Sequence, residues 1–146
     1  MSEEKATYLC SLSAQELRIG NWVYDGERTQ FPMQVVGIGK DWAYLDFPGN
    51  EGGVWEADIK DLRPIELTEE LLKKNGFFVR KSLDIIESYY LHREKAHIHT
   101  YKSHYGRMVH IDDERYITVF SKRINYLHQL QNAYYMAIGE ELEVQP

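Results

Sequence analysis

Apolar and polar positions alternate with period two through much of this chain. Trp42-Ala43-Tyr44-Leu45-Asp46-Phe47 alternates cleanly, and Met33 to Ile38 is a β-rich run that ends at Gly39. A period of two sends successive side chains to opposite faces, so each run predicts a strand. Asp25-Gly26, Pro48-Gly49-Asn50 and Gly52-Gly53 mark the reversals between them. Ser13-Ala14-Gln15-Glu16-Leu17 has the spacing of a capping box and predicts a short helical turn; Leu17 to Tyr24 then reads as a turn entering a strand. Val54-Trp55-Glu56 predicts another short strand, and Asp58 to Leu62 one helical turn. Arg63-Pro64-Ile65-Glu66 is extended, because a residue before proline avoids the α region.

Several short strands, close turns and one helical turn before the last strand predict a small half-open β-barrel, Src-homology-3-like, over residues 1–66. Residues 67–146 read differently. Thr68 is an N-cap candidate, with Glu69 and Glu70 in the first turn, Lys73 and Lys74 in the last and Gly76 just beyond, so a compact helix is predicted. Phe77-Phe78-Val79 is strand-like. Leu83 to Arg93 satisfies either period: Ile85, Glu87, Tyr89 and Leu91 alternate, while Leu83, Ile86 and Tyr90 sit at helical spacing. Strand is favoured because Tyr, Ile and Val dominate and two β-looking runs follow, His97 to Tyr101 and Arg107 to Ile111. Asp112-Asp113 then turns into a strand over Tyr116 to Phe120. Ile124, Leu127, Leu130, Tyr134 and Ile138 recur at spacings of three and four and predict an amphipathic C-terminal helix stopped by Gly139. The expected fold is α+β: the small barrel, then a short helix, an antiparallel sheet and the C-terminal helix, packed as one unit.

Composition narrows the class. The 146 residues hold one cysteine, Cys10, which excludes an intramolecular disulfide framework and fits a reducing, cytoplasmic setting. The opening Met1-Ser2-Glu3-Glu4-Lys5 lacks the pattern of a secretory signal, and no apolar stretch approaches the length of a membrane span. The net charge of −6 is unevenly spread. Residues 1–72 carry 6 basic and 14 acidic side chains, whereas residues 73–123 carry 11 basic and 6 acidic and five of the six histidines. The overall acidity argues against nucleic acid as a partner, since non-specific affinity comes from neutralising phosphates. The basic middle can still hold a small anion.

Three stretches carry a resemblance. Leu17-Arg18-Ile19-Gly20-Asn21-Trp22-Val23, Leu67 to Phe77, and Asn125 to Tyr135 with the tail Gly139-Glu140-Glu141-Leu142-Glu143 resemble an uncharacterised family of gut Bacteroidetes and of their phages and mobile elements. Residues 78–120 lie outside the resemblance. The family has no established activity; what the resemblance implies is an accessory protein of the bacterial host cytoplasm, phage-borne.

Motifs for chemistry are few. There is no Gly-x-Ser-x-Gly elbow and no Walker loop, and Gly37-Ile38-Gly39 lacks the third glycine of a dinucleotide fold, so no enzyme is expected and no cofactor. His97-Ile98-His99 puts two imidazoles on one strand face, a spacing metal sites use, but a third ligand at a diagnostic spacing is missing. Asp112-Asp113-Glu114 is read as a turn. The expected function is non-enzymatic binding of an anionic, nucleotide-like small molecule, or blockade of a host defence protein. The candidate ligand residues are Arg93, Lys102, His104, Tyr105 and Arg107 from the basic segment with Tyr126, Gln129 and Tyr135 from the last helix. Charge-assisted hydrogen bonds to phosphate and ring stacking would supply the affinity. With the phage context this becomes a counter-defence protein that sequesters a nucleotide signal. The alternative is a protein-docking module built on Trp22, Trp42 and Trp55, and the excess of Tyr and Trp points to a homo-oligomer.

Overall fold

The computed structural model describes residues 12–26, 28–50, 52–81 and 87–146. They fall into two compact units: one runs to Glu66 and takes in Tyr126–His128, the other comprises Leu67–Asn125 and Gln129–Pro146. The architecture is α+β, with two antiparallel five-stranded sheets and few helices. No helix among the described residues is long and apolar enough to cross a membrane.

In the first unit a 3-10 turn at Ala14–Glu16 precedes β1 (Trp22–Asp25), β2 (Arg28–Ile38), β3 (Trp42–Asp46) and β4 (Trp55–Asp58). A second 3-10 turn, Ile59–Asp61, leads into β5 (Leu62–Pro64). The strand order is β4-β3-β2-β1-β5. The alternation read from sequence is the one that folds: Ala43 and Leu45 of β3 are buried with Val23, Met33, Val35, Ile59 and Leu62, while Trp42 and Tyr44 take the other face. Trp42 lies so close over Gly39 that a Cβ there would come within 2.3 Å of the indole, so only glycine fits. The capping box does not form. Ser13 makes no side-chain cap bond, and its hydroxyl donates to the Glu16 carboxylate at 3.3 Å instead. The sheet has two edges, β4 and β5, and no pairing of the two closes it into a barrel among the described residues.

The second unit opens with α1 (Glu69–Lys74), capped as its sequence specifies: Thr68 Oγ1 accepts from the Leu71 amide at 3.1 Å, and Gly76 leaves the helix at φ 87°. A meander follows in the order β10-β9-β8-β7-β6, formed by β6 (Phe78–Lys81), β7 (Glu87–His92), β8 (Ala96–Ser103), β9 (Gly106–Asp113) and β10 (Thr118–Arg123). Of the segment open to either period, Glu87–His92 is strand and residues 83–86 lie outside the described residues. The last strand begins two residues later than Tyr116 and runs on to Arg123. The cause is Tyr116, which sits at φ 64° in a turn where Asp113 Oδ1 accepts from the Arg115 and Ile117 amides. A residue in the left-handed region cannot extend a strand. The last helix, α2 (Leu127–Ile138), is stopped by Gly139 at φ 86°.

One face of this sheet is interior. Tyr89, Leu91, Ala96, Ile98, Thr100, Arg107, Val109 and Ile111 are all buried, as are Leu71, Leu72, Leu130, Ala133 and Tyr134 on the helices. At ~25 cal/mol per Å² each large apolar side chain in this set contributes about 1.5–3 kcal/mol. The opposite face is the subject of the site.

Candidate functional site

Because strand side chains alternate, burying one set of positions in β6–β10 commits the other set to the outer face. The pairing register aligns that set into three rows across the strands. The middle row is Phe78, Tyr90, His99, His110 and Ser121. Beside it, nearer the β7–β8 turn, runs His92, His97, Asp112 and Thr118. On the other side lies Arg80, Ser88, Tyr101, Met108 and Arg123. Rows are separated by about 6.6 Å, two residues of rise, and five strands span about 19 Å. Four of the six histidines therefore share one face.

The rings are stacked on one another. Tyr90 and His99 lie 4.4 Å apart at 3°, His97 and Tyr116 4.1 Å apart at 5°. Phe78 follows Tyr90 at 5.8 Å, and His110 follows His99 at 5.7 Å, 5.8 Å from Tyr101. A centroid spacing close to the ~4.8 Å between strands requires the rings to stand up from the sheet side by side. Their faces are used by neighbours, and each of these residues keeps part of its surface exposed. Aromatic edges carry the positive side of the ring quadrupole, and the imidazole edges add N–H groups.

The nitrogens are partly engaged. His110 Nδ1 and Ser121 Oγ are 2.8 Å apart, and His92 Nδ1 lies 2.8 Å from His97 Nδ1. Two Nδ1 atoms at that distance must divide one proton, one ring donating and the other accepting. His99 Nε2 is buried and has no hydrogen-bond partner. Burial, reinforced by the neighbouring His110, holds the His99 pKa below the ordinary histidine value, and Asp112 opposes both. Arg80 lies over Phe78 and Tyr90 at 5.6 and 5.4 Å. Asp112 is the sole acid of the three rows, and its Oδ1 accepts from Thr118 Oγ1 at 2.8 Å.

The residues expected from sequence to hold a ligand are dispersed. His104 and Tyr105 form the tip of the β8–β9 hairpin, both exposed, with Lys102 exposed beside them and the Arg123 guanidinium 4.9 Å from the Tyr105 ring. Arg93 sits in the β7–β8 turn at the far end of the sheet, about 23 Å away at ~3.3 Å per residue of β8. Arg107 points inward. It is 6% exposed, lies 5.7 Å from the Tyr89 ring and reaches Thr100 Oγ1 at 3.4 Å. Gln129 Oε1 accepts from the Asn125 amide at 3.2 Å, Tyr135 is exposed on α2, and Tyr126 belongs to the first unit, its ring 6.2 Å from His128. Of the sequence candidates, the structure gathers Lys102, His104 and Tyr105 at one end of the sheet. Tyr90, Tyr101, His110, Ser121 and Arg123 join the surface only through register. His97 and His99 do share a face, but among the described residues no three of His, Cys, Asp and Glu converge to hold a metal ion.

No protein-family model, curated protein or solved structure matches this chain.

Proposed function

We propose that this is a non-enzymatic binding protein that holds an anionic, nucleotide-like ligand on the outer face of its second sheet. The observation that carries this is the aligned surface of ring edges flanked by Arg80 and Arg123, with Asp112 as the one acid within it. Guanidinium groups suit phosphate, and ring edges with N–H and O–H groups suit its oxygens. The stacking contribution expected from sequence is diminished, because Tyr90, His99, His97 and Tyr116 already spend their faces on each other. The role proposed with it, from the phage context that the sequence resemblance implies, is sequestration of a host nucleotide signal.

The test is a thermal-shift screen of the full chain against cyclic di- and trinucleotides and ADP-ribose-type compounds, paired with native mass spectrometry of protein fresh from cells. A ligand at about 100-fold over its Kd stabilises by about 2.7 kcal/mol. No shift with any member and no retained small mass would sink the proposal.

A second role rests on the first unit. The strand order and the 3-10 turn before β5 support a Src-homology-3-like module. Trp42 and Tyr44, 4.6 Å apart, offer it an aromatic surface for a peptide. A stable co-purifying protein lost on Trp42→Ala would favour docking.

A further inference from the structure

We propose that the outer face of the second sheet is a histidine-gated oxyanion site, which takes hold of phosphate-type groups as its imidazoles become protonated. This rests on the reading of that face as the ligand surface and names both what it grips and what controls the grip.

The geometry dictates the mode. With His97, His99, Tyr90 and Tyr116 paired face to face, a planar base finds few free ring faces, whereas an oxyanion meets the edges. A neutral imidazole edge offers one N–H; an imidazolium offers two and a full charge. His110 engages Ser121 through Nδ1, so a bound oxygen is left its Nε2. The His92–His97 pair already divides one proton, so a further proton settles on an Nε2 and leaves the bond between the rings intact.

The surrounding charges set how the switch behaves. From β6 the face receives Arg80, from β7 Tyr90, from β8 Tyr101, from β9 Asp112, and from β10 Arg123 with the Ser121 and Thr118 hydroxyls. Tyr116 stands over His97, and Asp113 is neutralised by Arg115 at 2.8 Å. At neutral pH, Arg80 and Arg123 stand against Asp112 alone, so the face attracts anions weakly. Each imidazolium then adds one positive charge. His99 and His110, 5.7 Å apart, repel when both are charged, and an oxyanion held at the His110 Nε2 relieves that repulsion. Ligand binding and protonation therefore promote one another.

The experiment titrates the full chain with inorganic sulfate and with a cyclic dinucleotide, whose charges stay constant across the window, at about pH 7.5 and about pH 5.5. For each imidazolium that binding requires, affinity rises from the higher pH to the lower, by at most about a hundredfold for one proton over two pH units. His99→Phe and His110→Phe keep a ring in each stack and remove the titrating edge; both should flatten the pH dependence. Arg80→Gln with Arg123→Gln should weaken binding at both values and leave the ratio unchanged. Cyclic dinucleotide binding with equal affinity at both values, or a ratio that survives both His→Phe variants, overturns the gating and leaves the ligand surface standing. Absence of binding by either probe at both values overturns the gating together with the surface it rests on.

Discussion

Arg107 separates an interior role from a surface one. Its sequence context, in a basic run beside His104 and Tyr105, is that of a ligand residue, yet its side chain is buried on the inner face, beside the Tyr89 ring and Thr100. Arg107→Ala removes a desolvated cation–π contact of about 0.5–2 kcal/mol. It also removes a long charged hydrogen bond at the low end of ~1.5–3 kcal/mol, and the packing of the aliphatic stem. Relief of the buried guanidinium offsets part of this. Thr100 Oγ1 keeps its bond to the Met108 carbonyl at 2.7 Å, so no orphan hydroxyl is left behind. The net cost is about 2–4 kcal/mol, which at about 3 °C per kcal/mol for a chain of this size lowers Tm by roughly 10 °C. Arg107→Met restores the stem and should recover about half of the loss. The exposed Arg123→Ala should leave Tm within about 2 °C of the parent. Thermal unfolding by circular dichroism reads all three. If Arg107→Ala unfolds with the parent's Tm while nucleotide binding is lost, Arg107 belongs to the surface and the placement of the two faces is wrong.

Thr68→Ala removes the N-cap acceptor of α1 and should cost about 1 kcal/mol in a urea unfolding series; an unchanged midpoint would show that the cap is dispensable. Gly106 at φ 123° sits where a Cβ would come within 2.8 Å of Asn125 Oδ1, so Gly106→Ala should destabilise more than Gly49→Ala, whose site is open though also at positive φ. The Tyr89 phenol is pushed up to about 12 by burial and by Glu69 and Glu87. Since the unfolded phenol titrates near 10, its contribution is present below about pH 10 and is lost as pH rises towards 12. An ultraviolet titration should show Tyr89 ionising late or with unfolding, together with Tyr134, whose pKa burial also raises, and early ionisation of every tyrosine would refute the burial. His128 is fully buried, and burial, opposed by Glu16 3.3 Å away, holds its pKa below the ordinary value. Its contribution is therefore complete above about pH 6.5 and lost as pH falls below it; His128→Leu should flatten that acid-side decline, and an unaltered slope would place the cause elsewhere.

Local structure was legible wherever one short stretch decided it. The Thr68 cap, the Gly76 and Gly139 stops and the alternation of Trp42 to Asp46 each depend on a few neighbouring residues. The Ser13 spacing pointed to the 3-10 turn that forms at Ala14–Glu16, although Ser13 and Glu16 bond to each other rather than capping it. The candidate site was legible only in part for a different reason. His97 and His99 declared a shared face by spacing, but the row from Phe78 to Ser121 joins residues up to 43 positions apart and exists only once four pairings fix the register. Arg107 and Arg123 look alike in sequence, but Arg107 takes an inward position on the interior strand β9, while Arg123 lies on the edge strand β10, which is exposed at nearly every position. Nearness in sequence likewise grouped Arg93 with Tyr105, although a hairpin sends them to opposite ends.

Whether the outer face of the second sheet is the ligand surface is tested most directly by side-chain-resolved NMR of the full chain during titration with a cyclic dinucleotide at mildly acid pH. Shift changes should gather on His99, His110, Tyr101 and Arg123, and leave Trp42 and Tyr44 unmoved. Changes centred on Trp42 and Tyr44, or none on the four histidines of the outer face, would contradict it.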